Sequence, residues 1–498
     1  MRRLDQGWSV TMRRQRQAGT ARHGLRLSTT LAQATLLASL AALAGCEVGP
    51  DFKPPQTSLA PFHNAALAGG ADQPPPLSTY WQGFHDPVLE ALVQKALAQN
   101  LQLAAALARV QQAQAAAGEA GAQLLPSAGF DAQAAAEHQS LYSPIGTIGK
   151  NLPGYNRDQR LYDVDAAASW EIDLFGGLRR GAEAASAEAR AAEAEDAGMR
   201  VTVVAEVADT YFQIRGDQAR LAVAQQQIDT DSRLLSLVQQ RTAAGNATDR
   251  EADEAAALLY QAQAFVPPLR TDLEAQYNRL DILLGVQPGS YARFLQPSPQ
   301  PDALPPLPAA ETPEQMLEQR PDIIAAQAQL KAANARIGVA VSQYYPKISL
   351  SGLLGFESLD AGKLFTGAAF QPEAVAGLRW RLFEFGKIND EVLEAKGSYA
   401  EALADYRNAV FVAASDVENG FMALAQAEQQ QAQLQNEVTA LTKARDSSQR
   451  AYTDGAITLT DVLNADRELL QAQDQLALDR ANTEQDSVSV FRALGGGW

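Results

Sequence analysis

Apolar and polar residues alternate along this chain at two different periods. In four segments the period is two. From Pro126 onward, Ala128, Phe130, Ala132, Ala134 and Ala136 alternate with Asp131, Gln133 and Glu137. Tyr162, Val164, Ala166, Ala168, Trp170, Ile172 and Leu174 then alternate with Asp163, Asp165, Ser169, Glu171 and Asp173. Later Ile348, Leu350, Leu354 and Phe356 alternate with Lys347, Ser349 and Ser351, and Leu378, Trp380 and Leu382 with Arg379 and Arg381. A period of two marks a β-strand with one apolar face. Strands are expected over 126–142, 159–175, 346–358 and 374–385, all with their apolar side chains on even numbers.

The second period is helical. No proline falls between Pro153 and Pro267, or after Pro372, and both stretches are rich in Ala, Gln, Glu, Leu and Arg, residues that lose little on entering a helix. A helix from Gly177 to Gly245 would be about 100 Å long. Val207, Ile214, Leu221, Ile228 and Leu235 recur every seven residues, as along a coiled-coil seam. The flanking positions hold polar residues such as Asp217 and Asp231, so the seam is imperfect and a long antiparallel helical bundle is the favoured reading.

The landmarks occur twice. At an offset of 210, Trp170, Phe175 and Gly176 recur as Trp380, Phe385 and Gly386, Gly245 as Gly455, and Leu284-Gly285 as Leu494-Gly495. Upstream the offset is 220, so that Gly118, Gln123 and Pro126 match Gly338, Gln343 and Pro346, and the first copy carries ten extra residues between Pro126 and Trp170. A repeat this long implies two copies of one supersecondary unit, strand hairpin followed by long helices. Gly245 and Gly455 lie about 70 residues from the hairpins and are expected to mark the turns at the helix tips.

Soluble hairpins with one face on a core would explain the alternating segments. Strands of a membrane barrel would explain them too, with charges on the aqueous face and Trp170 and Trp380 placed as an interfacial girdle. Four strands cannot close a barrel, so an open pore needs three or more chains.

Seven arginines and one aspartate precede residue 46, followed by an apolar run from Leu31 to Leu43 and then Leu43-Ala44-Gly45-Cys46. This order is that of a secretory signal peptide over 1–45, with translation starting at Met1 or Met12. Leu-Ala-Gly-Cys matches the bacterial lipobox, which makes Cys46, the chain's single cysteine, a candidate lipidation site. Removing residues 1–45 leaves a formal charge of −23, which repels phosphate backbones and argues against nucleic acid as a partner. Only His63, His85 and His138 remain beyond the leader, with no metal-ligand spacing, phosphate loop or nucleophilic triad, so no enzyme is expected. The acids are expected on helix exteriors and strand faces, at regular periods.

Several longer motifs carry a resemblance. Cys46-Glu47-Val48-Gly49-Pro50-Asp51-Phe52, Trp170-Glu171-Ile172-Asp173-Leu174-Phe175-Gly176-Gly177, Gln319-Arg320-Pro321-Asp322-Ile323 and Arg492-Ala493-Leu494-Gly495-Gly496-Gly497-Trp498 occur in that order. The chain resembles the outer-membrane efflux factors of the OprM/NodT lipoprotein type, within the wider TolC-like group. That resemblance implies a homotrimer with a 12-stranded barrel in the outer membrane on an α-helical periplasmic tunnel. It also implies a palmitate-bearing lipid on Cys46, no cofactor or metal, and a periplasmic adaptor and inner-membrane transporter as partners. By the same resemblance Asp461 is the carboxylate of a ring that closes the tunnel and Tyr452 a lock tyrosine. Asn464 stands where the prototype has a second acid, and Ile457 where it has a lock arginine. The alternative for Asp461 is one more solvated acid on an acidic helix. At the first tip, Arg241, Thr248 and Glu251 are weaker landmarks.

The expected organisation is a leader (1–45), a lipidated extended segment (46–80) and two repeats (81–300 and 301–498), with hairpins at 126–175 and 346–385. The expected function is the passive exit duct of a tripartite efflux pump for small molecules. Two alternatives are the outer-membrane channel of a type I protein-secretion system and a lipid-tethered periplasmic coiled-coil scaffold without a pore.

Overall fold

All four alternating segments form one antiparallel sheet in the order β1 (Ser127–His138), β2 (Asp158–Ile172), β3 (Lys347–Ser358) and β4 (Phe370–Arg379). The computed structural model describes residues 47–56, 59–68, 75–297, 304–307, 313 and 318–497. The leader 1–45, Cys46 and Trp498 therefore lie outside the described residues. Registers pair Phe130 with Ala166, Val164 with Phe356, and Leu350 with Ala376. Even numbers always meet even numbers, so the even apolar positions of all four strands make one continuous face.

The odd face is acidic. Asp131 lies opposite Asp165, and Asp163 opposite Glu357. Gly355 pairs with Asp165, and a Cβ there would come within 2.6 Å of the Asp165 Cβ, so glycine makes room for that carboxylate.

The strand boundaries correct the sequence reading at the last strand. β4 begins four residues earlier than expected, at Phe370, includes Pro372 and ends before Trp380. A proline lacks the ladder donor but is tolerated here because β4 is an edge strand. The longer first connection holds a short helix, α3 (Pro144–Gly149), capped by Ser143, and this insertion takes up the ten-residue surplus of the first copy. Val48 N–H donates to the Phe175 carbonyl at 3.1 Å, and Arg180 pairs with Glu47 at 3.1 Å, which pins the start of the described chain beside the end of β2. This sheet, with its connections over 122–180 and 338–391, is one of two compact units.

The other unit is helical. It contains α1 (Pro87–Gln99), most of α2 (Leu101–Ala122) and most of α6 (Pro321–Ser342), together with the long helices α4 (Gly177–Ala243), α5 (Asp249–Leu283), α7 (Lys387–Thr453) and α8 (Leu459–Ala493). α4 and α7 both have 67 residues, and α5 and α8 both have 35. α5 runs straight through Pro267 and Pro268, which are exposed, so water can serve the carbonyls that lose a donor.

An aromatic core forms where α4 and α8 cross the segment before α1. Tyr80 stacks on Phe491 at 4.9 Å and Phe84 packs on Phe212 at 4.8 Å. Arg320 gives the Arg-Pro-Asp motif its physical sense. Its guanidinium donates to the carbonyl of Ala493 at 2.8 Å and to Asp322 and Asp416 at 2.8 and 3.1 Å, while Pro321 opens α6. The extended segment after Asp51 is held at Glu418, whose carboxylate accepts from the backbone N–H of His63 and Asn64.

Two expectations hold only in part. Of the seven-residue seam, Val207 and Ile214 are fully buried, but Leu221, Ile228 and Leu235 are only half-buried, while Ala224, Gln227, Asp231, Leu234 and Val238 are buried. From about Leu221 onward the buried stripe thus moves to flanking positions, Gln227 and Asp231 among them, and α4 packs through these. Nor do the acids all lie outside, since Asp217, Asp231, Asp466, Asp479 and Glu484 are each under 5% exposed. Burial pushes the Glu484 carboxyl up to about 8. Periodicity identifies a stripe, but several parallel stripes of one helix satisfy it, and only the neighbouring helices choose among them.

Candidate functional site

Each long helix pair turns back through a glycine in the left-handed region, Gly245 and Gly455 both at φ +73°. The Gly245 N–H donates to Thr242 O and the Asn246 N–H to Arg241 O; at the other tip, Gly455 N–H donates to Tyr452 O and Ala456 N–H to Ala451 O. Such paired bonds close a helix C-terminus and need a residue without a Cβ penalty. Both return helices start on a threonine. Thr248 and Glu251 make a reciprocal capping box, the Thr248 N–H donating to Glu251 at 2.7 Å and the Glu251 N–H to Thr248 Oγ1 at 3.3 Å. At the second tip Asp461 Oδ2 accepts from the Thr458 N–H at 3.0 Å and from its hydroxyl at 2.6 Å.

Leu234, Val238, Ala255, Leu258, Tyr452, Leu459, Val462 and Leu463 form one apolar cluster, with Ile457 at its edge. The two hairpins therefore pack on each other at their tips. Across this cluster the Arg241 guanidinium lies 4.7 Å from the centroid of the Tyr452 ring, and its Nη1 reaches the Tyr452 carbonyl at 3.4 Å. Tyr452 is 4% exposed and its hydroxyl has no hydrogen-bond partner, so burial pushes its pKa up. Arg241 approaches from the last turn of α4, where a cation also meets the negative end of the helix.

Asp461 and Asn464 are exposed, three residues apart on one face of α8. The Thr458 hydroxyl and N–H hold the Asp461 carboxyl below the usual carboxylate range. Hence Asp461 is already used within its own helix, in the same way as Glu251, while its charge faces outward. The structure joins Tyr452 with Arg241, a residue the sequence reading set aside. No signal could have linked them, because they are 211 residues apart and on different helices.

In the sheet unit the indole N–H of Trp170 donates to Leu124 O, and that of Trp380 to Tyr344 O, both at 2.9 Å. The acceptors are equivalent, two residues before Pro126 and Pro346, so each tryptophan ties the far end of a hairpin to the turn that leads into its first strand. Both indoles stay over a third exposed. Among the described residues no helix is long and apolar enough to cross a membrane, and no cluster of side chains could hold a metal ion.

The sequence profile of the outer membrane efflux proteins matches residues 92–286 and 312–496. The chain belongs to the outer membrane efflux protein family. It is 32% identical over 441 residues to the pyoverdine export outer membrane protein OpmQ of Pseudomonas aeruginosa, spanning 88% of this chain and 91% of that protein. It is similar to the solved outer-membrane channel OprN at 30% identity with a TM-score of 0.83, over 91% of this chain and all of that one. The Campylobacter jejuni CmeC channel, at 23% identity, shares the fold with a TM-score of 0.84 over 91% of this chain and 95% of its own. This member is thus an outer-membrane efflux channel, mostly helical with a small strand region, in a family of transport ducts.

Proposed function

We propose that three copies of this chain form the passive exit duct of a tripartite efflux pump, a 12-stranded barrel continued by a tunnel of helices. The observation that carries this reading is the register of the sheet. One face is apolar on even positions and the other acidic on odd positions, and β1 and β4 each leave one edge unpaired. An open edge of this length needs a partner, and a second copy supplies β1 for β4 and β4 for β1. Apolar residues then face lipid and acids line water.

In this reading the lipid on Cys46 tethers the chain to the outer membrane, and the hairpin tips reach the periplasmic adaptor and the inner-membrane transporter. Asp461 and Asn464 from three chains line the constriction, with Tyr452 buried behind them. The duct lacks an energy source and selects little, so the cargo is set by the transporter. The family's pyoverdine and toluene exporters favour small molecules over polypeptides as that cargo. A pore-free scaffold accounts for the helices but not for a sheet with one apolar and one acidic face.

Single-channel recording in planar bilayers tests the reading. A small cation-selective conductance that rises or loses selectivity in Asp461→Ala supports both duct and gate. A pore indifferent to that change removes Asp461 as the gate, and failure to insert removes the duct.

A further inference from the structure

Just above the apolar cluster of the tips lie two acids that the gate does not use. Asp231 of α4 is 1% exposed and Asp466 of α8 is 2% exposed. Asp231 Oδ1 accepts from Gln227 Nε2 at 2.7 Å, and its Oδ2 has no hydrogen-bond partner. Asp466 Oδ1 has none either. Arg445 of α7 comes within 3.7 Å of it, too far for a hydrogen bond, because its Nε lies 2.9 Å from the more exposed Asp446. From α5 this part of the bundle receives Ala255 and Leu258, both apolar, and Glu254, which is paired with Arg250 at 3.7 Å. Towards the other end of α4, Arg220 is taken by Asp474 at 2.8 Å and by Asp217 at 3.9 Å.

Among the described residues, Asp466 therefore has one loosely held cation beside it, and Asp231 a single amide donor and no cation. Ionising both would leave like charges in a water-poor interior with unmet acceptors, which is costly. A proton on one of them removes the repulsion and supplies a donor for a free oxygen.

We propose that one of the two buried carboxyls, Asp231 or Asp466, keeps its proton in the packed tip and that its loss to water loosens α4 from α8, so that the tip packing responds to pH. This rests on the reading of the tips as the gate. Burial, with the Asp466 charge added, pushes Asp231 up to about 6, and burial pushes Asp466 up to about 6 against the opposing Arg445. Both lie above the usual carboxylate value of about 3.9. Between roughly pH 4 and 6 the packed tip binds more protons than the loosened one, so its packing weakens as pH rises through that window and stays weaker above it.

Hydrogen exchange of the full-length protein in detergent, corrected for intrinsic rates, reads this directly on peptides spanning 227–258 and 445–466. Protection in the wild type should fall about tenfold from pH 5 to pH 8 with a midpoint near 6. Asp231→Asn with Asp466→Asn, isosteric with the protonated form, should be flat and protected throughout. Asp461→Asn, on the exposed face, should keep the wild-type midpoint. A flat wild type, a pH response surviving the double substitution, or a midpoint lost with Asp461 overturns the proposal. The bilayer recording separates it from the duct reading, since a midpoint near 6 in a protein that forms no pore supports the buried proton and rejects only the gate.

Discussion

The guanidinium of Arg241 sits over the ring of Tyr452, 4.7 Å from its centroid, and joins the two helical hairpins at their tips. Arg241→Ala removes a cation–π contact of about 1 kcal/mol. Its expected effect is a severalfold rise in mean single-channel conductance and faster exchange at both tips. Tyr452→Phe should behave as wild type, because the hydroxyl has no partner to lose. A Tyr452→Phe channel that opens like Arg241→Ala would show that the hydroxyl, not the ring, does the holding.

Asp461 is predicted to stay ionised at mildly acidic pH. Its folded pKa is depressed by Thr458, so the stabilisation it gives to the start of α8 is present above the unfolded value and lost as pH falls through the lower folded value. Cation selectivity should therefore persist at pH 5 and fade only below about pH 4. Thr458→Ala should raise that midpoint. Reversal potentials across a salt gradient, measured against pH, check both.

Gly245 and Gly455 have open space around the position of a Cβ, so a substitution there meets backbone strain and no clash. Gly455→Val should destabilise the tip by roughly 1–2 kcal/mol, and Gly455→Asn by less, since asparagine tolerates the left-handed region. Protease nicking around residue 455 should rank valine above asparagine above wild type.

Arg320 is buried, with two carboxylates, the Ala413 carbonyl within α7 and the Ala493 carbonyl at the end of α8 as acceptors. Arg320→Ala leaves the Ala493 carbonyl without this donor, while the half-exposed Asp322 and Asp416 keep water, and should cost about 1–3 kcal/mol. Arg320→Lys should recover little, as one ammonium cannot span the fork. Thermal unfolding in detergent should show both variants melting several degrees below the wild type.

Much of the fold was legible because it is local. The parity of apolar positions survived intact in the sheet, since the pleat makes side-chain direction a property of residue number and every register pairs even with even. Long helices followed from missing prolines, and their turns from Gly245 and Gly455. The start of β4 was misplaced because Pro372 reads as a breaker, whereas within one chain β4 is paired on one side only, with β3.

What the sequence by itself determined is what depends on neighbours along the chain, namely strand faces, long helices and tip glycines. Tertiary structure decided which stripe of α4 is buried, that Asp231 and Asp466 lie inside, and that Arg241 covers Tyr452. These are choices of helix rotation and partner between segments some 200 residues apart. No local periodicity encodes them, because a helix offers many faces and the packing of its neighbours selects one.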